Sequence, residues 1–113
     1  SARLKDHTRA ILNEVARVLN EVDNRITLSG HTDSQPYAGG ERGYSNWELS
    51  ATRAVIVVRV LSELYSVPAE HLAALGYADS RPLVENLTPD QRAKNRRVEV
   101  VIHAGGEFIG PGF

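Results

Sequence analysis

The segment Gly30–Ala54 reads GHTDSQPYAGGERGYSNWELSATRA, and its reading decides the fold. Its first two residues close an alternating run, Arg25-Ile26-Thr27-Leu28-Ser29-Gly30-His31, in which Ile26 and Leu28 interleave with Thr27 and Ser29 at the period of a strand. That strand delivers His31, Thr32 and Asp33 to its C-terminal edge. Pro36, Gly39, Gly40 and Gly43 then punctuate a loop over 34–44. Ser45 with Glu48 three residues on forms a capping box, flanked by Tyr44 and Leu49 as a hydrophobic staple. A helix therefore starts here and runs through Arg53, Val57, Leu61 and Leu64 to about Tyr65-Ser66. Val55-Ile56-Val57-Val58 is β-branched and suits a strand locally, but length, cap and the neighbouring Ala51 and Ala54 decide for helix. This helix looks apolar on more than one side, which predicts deep packing.

Upstream, Ile11, Val15, Val18 and Val22 recur at spacings of four and three, with Leu4, Leu12 and Leu19 broadening the stripe. This predicts an amphipathic helix over about Leu4–Asn20, ended by Asp23-Asn24. Downstream, Pro68–Leu72 reads as a helical turn and Ala73–Tyr77 as a short strand. Thr88-Pro89-Asp90-Gln91 opens a second capped helix, and Val98–Ile102 alternates as a strand. The stretch 104–113, with four glycines and a proline, reads as a frayed tail. Strand, helix, strand is a βαβ unit with parallel strands and a right-handed crossover. The last strand can join at an edge or in the middle. The predicted class is α+β, an α/β sandwich of two layers: a small mixed sheet covered by helices on one face.

The 113 residues suffice for one domain, with a core over about 4–103 and no apparent internal repeat. A net charge of -1 gives no electrostatic case for nucleic acid. The absence of cysteine excludes disulfides and thiolate chemistry. No apolar run approaches the roughly 20 residues that span a bilayer. An exported or anchored protein would carry the responsible segment outside these residues.

The polar groups converge on one end of the expected sheet. Asp33 leaves a strand end, the helix opened by Ser45 offers unpaired N–H groups, and Arg53 leans back toward the same opening. Asn95, Arg96 and Arg97 precede the last strand and can approach from beside it. A carboxylate facing helix-start N–H groups and guanidinium forks suits a zwitterion such as an α-amino-acid head group. A purely structural ion pair between Asp33 and an arginine is the competing reading.

Other constellations are weaker. His31 and Asp33 with His71 or His103 lack a tight metal cluster, so neither a metal nor a cofactor is expected. Ser34 or Ser45 with His31 and Asp33 lacks the elbow that exposes a nucleophile. Asp79 and Glu85 read as solvated loop acids rather than a glycosidase pair. The Gly39–Gly43 run lacks the lysine of a phosphate cradle. Trp47 can stack on a sugar, but an aromatic beside a capping box more often anchors the helix start. Of Arg96 and Arg97, one can serve the site while the other is solvated.

Gly30-His31-Thr32-Asp33, Asn46-x-x-Leu49-Ser50-x-x-Arg53-Ala54, Gly76-Tyr77 and Asn95-Arg96-Arg97-Val98-Glu99 together resemble the OmpA-like peptidoglycan-binding domain, over about Asn24–Ile102. The long loop resembles the MotB-type flagellar stator members of that family. The resemblance implies a non-enzymatic domain that holds the diaminopimelate of the peptidoglycan stem peptide. It implies Asp33 on the ammonium, Arg53 on the carboxylate, Asn46 and Leu49 lining the pocket, Thr32 at its rim and Arg96 as a further basic contact. It further implies a periplasmic location, a homodimer, a parent anchored in the inner membrane and a channel-forming partner subunit. Other envelope anchors (an outer-membrane lipoprotein or a secretion-system component) are the alternative parents, and a cell-wall hydrolase is the rival class. The family has a strand before its first helix, and here only Ser1–Arg3 precede Leu4, so that strand is expected to be either truncated or replaced by a differently ordered N-terminus.

Overall fold

The computed structural model describes residues 6–37 and 44–104. Helix α1 (Asp6–Leu19) leads to strand β1 (Ile26–His31), helix α2 (Asn46–Leu64) and a 3₁₀ turn at Ala69–His71. Strand β2 (Leu72–Gly76), helix α3 (Pro89–Asn95) and strand β3 (Arg97–Ile102) complete the order. The sheet runs β2-β1-β3. β1 pairs with β2 in parallel, Ile26 opposite Leu72 and Gly30 opposite Gly76. β3 lies on the other side of β1, antiparallel, His31 opposite Arg97 and Ile26 opposite Ile102. Among the described residues the last strand is thus an edge strand, and the sheet is mixed, as the α+β reading predicts. The expected tail, the loop glycines and the helix start at Leu4 lie outside the described residues.

Both capping boxes form. The Ser45 side chain receives the Trp47 N–H while Glu48 Oε1 accepts the Ser45 N–H at 2.6 Å. At Thr88, Gln91 completes the reciprocal pair, with Pro89 just inside the helix. Each cap satisfies helix-start N–H groups that have no partner within the helix.

The faces differ from the sequence pattern in two places. In α1 the buried stripe is Leu12, Ala16 and Leu19, whereas Ile11 and Val18 are 59% and 54% exposed. Both stripes satisfy a 3.6-residue period, and it is the Leu12, Ala16 and Leu19 stripe that joins the core. In α2 only Ser50, Ala54, Val57 and Leu61 are buried, a single stripe, and Val55 is exposed. Val58 and Val60 pack only partly against the core. The expectation of burial on several sides is therefore corrected. Among the described residues the sheet is three strands wide, and one stripe of α2 faces it.

The core joins Leu12, Ala16 and Leu19 to Ile26 and Leu28 of β1, Ala54, Val57 and Leu61 of α2, and Val67. Truncating one of its leucines to alanine costs about 2–5 kcal/mol. Above this core, α2 presses onto the strands. A Cβ on Gly30 would run into the Ser50 carbonyl oxygen, and one on Gly76 would stand 2.7 Å from both Ala51 N and Ser50 Oγ. Two glycines on adjacent strands therefore let the first turns of α2 settle against the C-terminal edge of the sheet. Ser50, fully buried, donates to the Trp47 carbonyl and accepts the Ala78 N–H at 3.0 Å.

Candidate functional site

The Gly30–Ser50–Gly76 seam brings the start of α2 beside the end of β1. Asp33, two residues past that strand, is buried, with its side chain 9% exposed. Its Oδ1 accepts the Gln35 N–H at 2.9 Å and its Oδ2 accepts Arg96 Nη1 at 2.6 Å. Asn46, the first residue of α2, donates from Nδ2 to the Gln35 carbonyl at 2.8 Å. One chain of bonds thus runs Arg96–Asp33–Gln35–Asn46, linking the start of β3, the end of β1 and the start of α2. Gln35 takes part through its backbone, so nothing in its residue type pointed to it.

The remaining expected residues surround this chain. Thr32 is buried; its hydroxyl donates to the Asp33 carbonyl, and its N–H donates to the Ala78 carbonyl at 2.8 Å. Ala78 is held from both sides in left-handed backbone, φ 51°. Such strain persists only where neighbours impose it. Leu49 and Arg53 are half-buried and follow Asn46 at i+3 and i+7, on the same face of α2. The Arg53 guanidinium makes no hydrogen bond or ion pair among the described residues. No hydrogen bond or ion pair joins it to Asp33, whose carboxylate is turned to Arg96. The structural ion pair of the competing reading exists, and Arg96, 43% exposed, supplies it.

Three sequence expectations about this region are corrected. Trp47 is 54% exposed and so does not anchor the helix start. Asn95 does not approach the site. Fully buried, its amide accepts from Leu83 N and Val84 N and donates to the Val84 carbonyl and Asn86 Oδ1, pinning the irregular connection before α3. Arg97 is not solvated: it turns to the other face of the sheet and donates from Nε to Glu99 at 2.8 Å. His103 shares a hydrogen bond with Thr27, at the end of β1 remote from Asp33. No group of three His, Cys, Asp or Glu side chains among the described residues can hold a metal ion. Ser45 is engaged as a cap, and Asp79 and Glu85 are exposed.

An alpha-plus-beta layer pair with GHTD at a strand end and NxxLSxxRA on the apposed helix defines a class. The chain matches the OmpA family model over residues 1–96 and belongs to that family. It is 45% identical over 102 residues to motility protein B of Escherichia coli, an alignment covering 90% of this chain and 32% of that protein. It is 43% identical over 94 residues to the peptidoglycan-binding protein ArfA of Mycobacterium tuberculosis, covering 82% of this chain and 27% of the other. Among solved structures, the C-terminal domain of Helicobacter pylori MotB superposes with a TM-score of 0.81 at 26% identity, covering 92% of this chain and 78% of that one. The chain spans about a third of the length of these curated relatives. No helix among the described residues is long and apolar enough to cross a membrane.

Proposed function

We propose that this domain binds peptidoglycan non-covalently by clasping the diaminopimelate of the stem peptide, and so anchors a flagellar stator complex to the cell wall. Asp33 takes the ammonium and Arg53 the carboxylate, with Leu49 and Asn46 along the wall between them, Thr32 at the rim and Arg96 as a further cation. The observation that carries this reading is the bond chain Arg96–Asp33–Gln35–Asn46. It fixes one carboxylate beside the start of the helix whose same face bears a guanidinium with no acidic partner among the described residues. Arg96 neutralises the Asp33 carboxylate between ligands and can share it when an ammonium arrives, since a carboxylate offers about four lone-pair sites.

The domain acts as a binder rather than an enzyme, as one module in the periplasm. Its parent is a homodimeric subunit held in the inner membrane beside a channel-forming partner. The likeness to motility protein B supports the stator parentage. A second parentage has its own observation: the cell wall anchor of the T6SS from Pseudomonas aeruginosa is 35% identical, with a TM-score of 0.76.

Sedimentation with purified peptidoglycan tests the binding. Asp33→Asn and Arg53→Ala each leave the fold intact and weaken wall binding by about 2–5 kcal/mol, the usual loss for one partner of a desolvated charged contact. Unchanged sedimentation of both variants would defeat the assignment. A muropeptide mixture unchanged after incubation with the protein separates binder from hydrolase.

A further inference from the structure

The face of the sheet turned away from the helices holds groups that the wall-binding site does not use. Strand alternation sends Ile26, Leu28 and Gly30 toward the helices and Thr27, Ser29 and His31 to the other side. There β3 contributes Arg97, Glu99 and Val101, and β2 with its continuation contributes Leu75 and Tyr77. With Arg81 and His103 they line a hollow of about 210 Å³.

Three features of this hollow ask for a ligand. The His31 ring is buried, 2% exposed, yet neither Nδ1 nor Nε2 makes a hydrogen bond. Nε2 stands 3.3 Å from Glu99 Oε1 without the alignment a hydrogen bond needs. Buried polar atoms without partners are rare and costly. Next, Arg81 lies over the Tyr77 ring, 4.1 Å from its centroid, and its guanidinium has no acidic partner among the described residues. Tyr77 in turn stacks on His31 at 5.2 Å. Finally, the one carboxylate present, Glu99, is already held by Arg97 Nε, which leaves the hollow with one uncompensated cation.

We propose that this hollow is a second ligand site, for a small monocarboxylate carrying an apolar or acylated portion. The Arg81 guanidinium takes the carboxylate, Leu75, Val101 and the Tyr77 ring contact the rest of the molecule, and His31 and Ser29 offer polar atoms at the floor. A single free guanidinium matches a monoanion better than a phosphate dianion. At about 30 Å³ per water, the volume displaces roughly seven waters, the size of one acylated amino acid or a sugar acid. Burial first, and then the neighbouring Arg97, holds the imidazole below its ordinary value of 6.5, so that near neutrality it keeps one donor and one acceptor nitrogen.

The carboxylate can come from a peptide terminus or from an acidic sugar, and the probes separate these sources. N-acetyl-D-alanine and N-acetylmuramic acid are titrated into the protein with N-acetyl-D-alaninamide and N-acetylglucosamine as uncharged counterparts. The His31 ring and Ser29 amide resonances are followed by NMR. At least one acid gives saturable shifts at millimolar concentration that its uncharged counterpart does not, and the stronger acid names the source. Arg81→Ala, at an exposed position, weakens binding by about tenfold or more, and Arg81→Lys recovers part of it. Glu99→Gln, which removes the opposing charge and frees Arg97, tightens it severalfold. Asp33→Asn leaves it unchanged, so this site stands or falls apart from the wall-binding site. Absence of saturable shifts with both acids, equal response to the uncharged probes, or indifference to Arg81→Ala would overturn the proposal.

Discussion

Arg96 and Arg97 are adjacent in sequence, yet they serve two different regions. Arg96, at the C-terminal cap of α3, reaches the rim of the sheet and pairs with Asp33, and Arg97 opens β3 on the open face and pairs with Glu99. At the rim, Asp33 is fixed by a backbone N–H and by a half-exposed cation that can yield to a ligand. On the open face, the acid belongs to a strand already bonded to β1, and the groups without a hydrogen bond among the described residues are the His31 imidazole, 3.3 Å from that acid, and the Arg81 guanidinium. One region presents an acid and a spare cation on separate elements, suited to a molecule with both charges. The other presents a spare cation alone.

The rim depends on close packing beneath it, so Gly30→Ala has the largest expected effect. Its methyl group meets the Ser50 backbone, which cannot swing aside as a flexible side chain would. Urea unfolding should show a loss of about 3 kcal/mol or more, or no folded protein at all. Asn95→Ala strikes the joint from which both arginines depart. Four hydrogen bonds to the 83–86 connection vanish, and stability should fall by about 2–3 kcal/mol. Ser45→Ala removes the cap of α2 at the rim and should cost about 1 kcal/mol by the same measurement.

The smallest effect concerns the open face and pH. Burial lowers the His31 pKa below 6.5, so the unfolded chain takes up a proton first as the solution is acidified. Stability is then full above about 6.5 and declines as pH falls from there to the lowered folded value. Glu99 is lowered from 4.5, chiefly by its hydrogen bond from Arg97; its contribution is present above 4.5 and is lost as pH falls through its lower folded value. His31→Gln should therefore flatten the stability profile just below pH 6.5 and leave the steeper acid limb in place. An unchanged slope there would mean that His31 titrates alike in the folded and unfolded chain.

Much of this was legible where chemistry is local. Ser45–Glu48 and Thr88–Gln91 announce their helices because a capping box is written within four residues. Ile26 and Leu28 reveal β1 by alternation alone. The face of α1 was not legible, because Ile11-Val18 and Leu12-Leu19 both keep helical period, and only the tertiary packing decides which pair is covered. Trp47 was misread for the same reason: a residue's size says nothing of whether a neighbour lies over it. Of the candidate site, Asp33, Asn46, Leu49, Arg53 and Arg96 were named from the motif, while the pairing of Asp33 with Arg96 was not legible, because it depends on β3 lying antiparallel beside β1. The Gln35 link is a backbone contact without sequence signature. The open-face hollow needs three strands in register, which no local pattern encodes.

The most direct measurement of the central claim compares two stem peptides by calorimetry, one carrying diaminopimelate and one carrying lysine at the same position. Lysine keeps the side-chain ammonium for Asp33 but lacks the carboxylate for Arg53. The diaminopimelate peptide should bind at least about tenfold more tightly, equivalent to about 1.4 kcal/mol, and Arg53→Ala should abolish that preference. Equal affinity for the two peptides, or a preference that survives Arg53→Ala, would contradict the account.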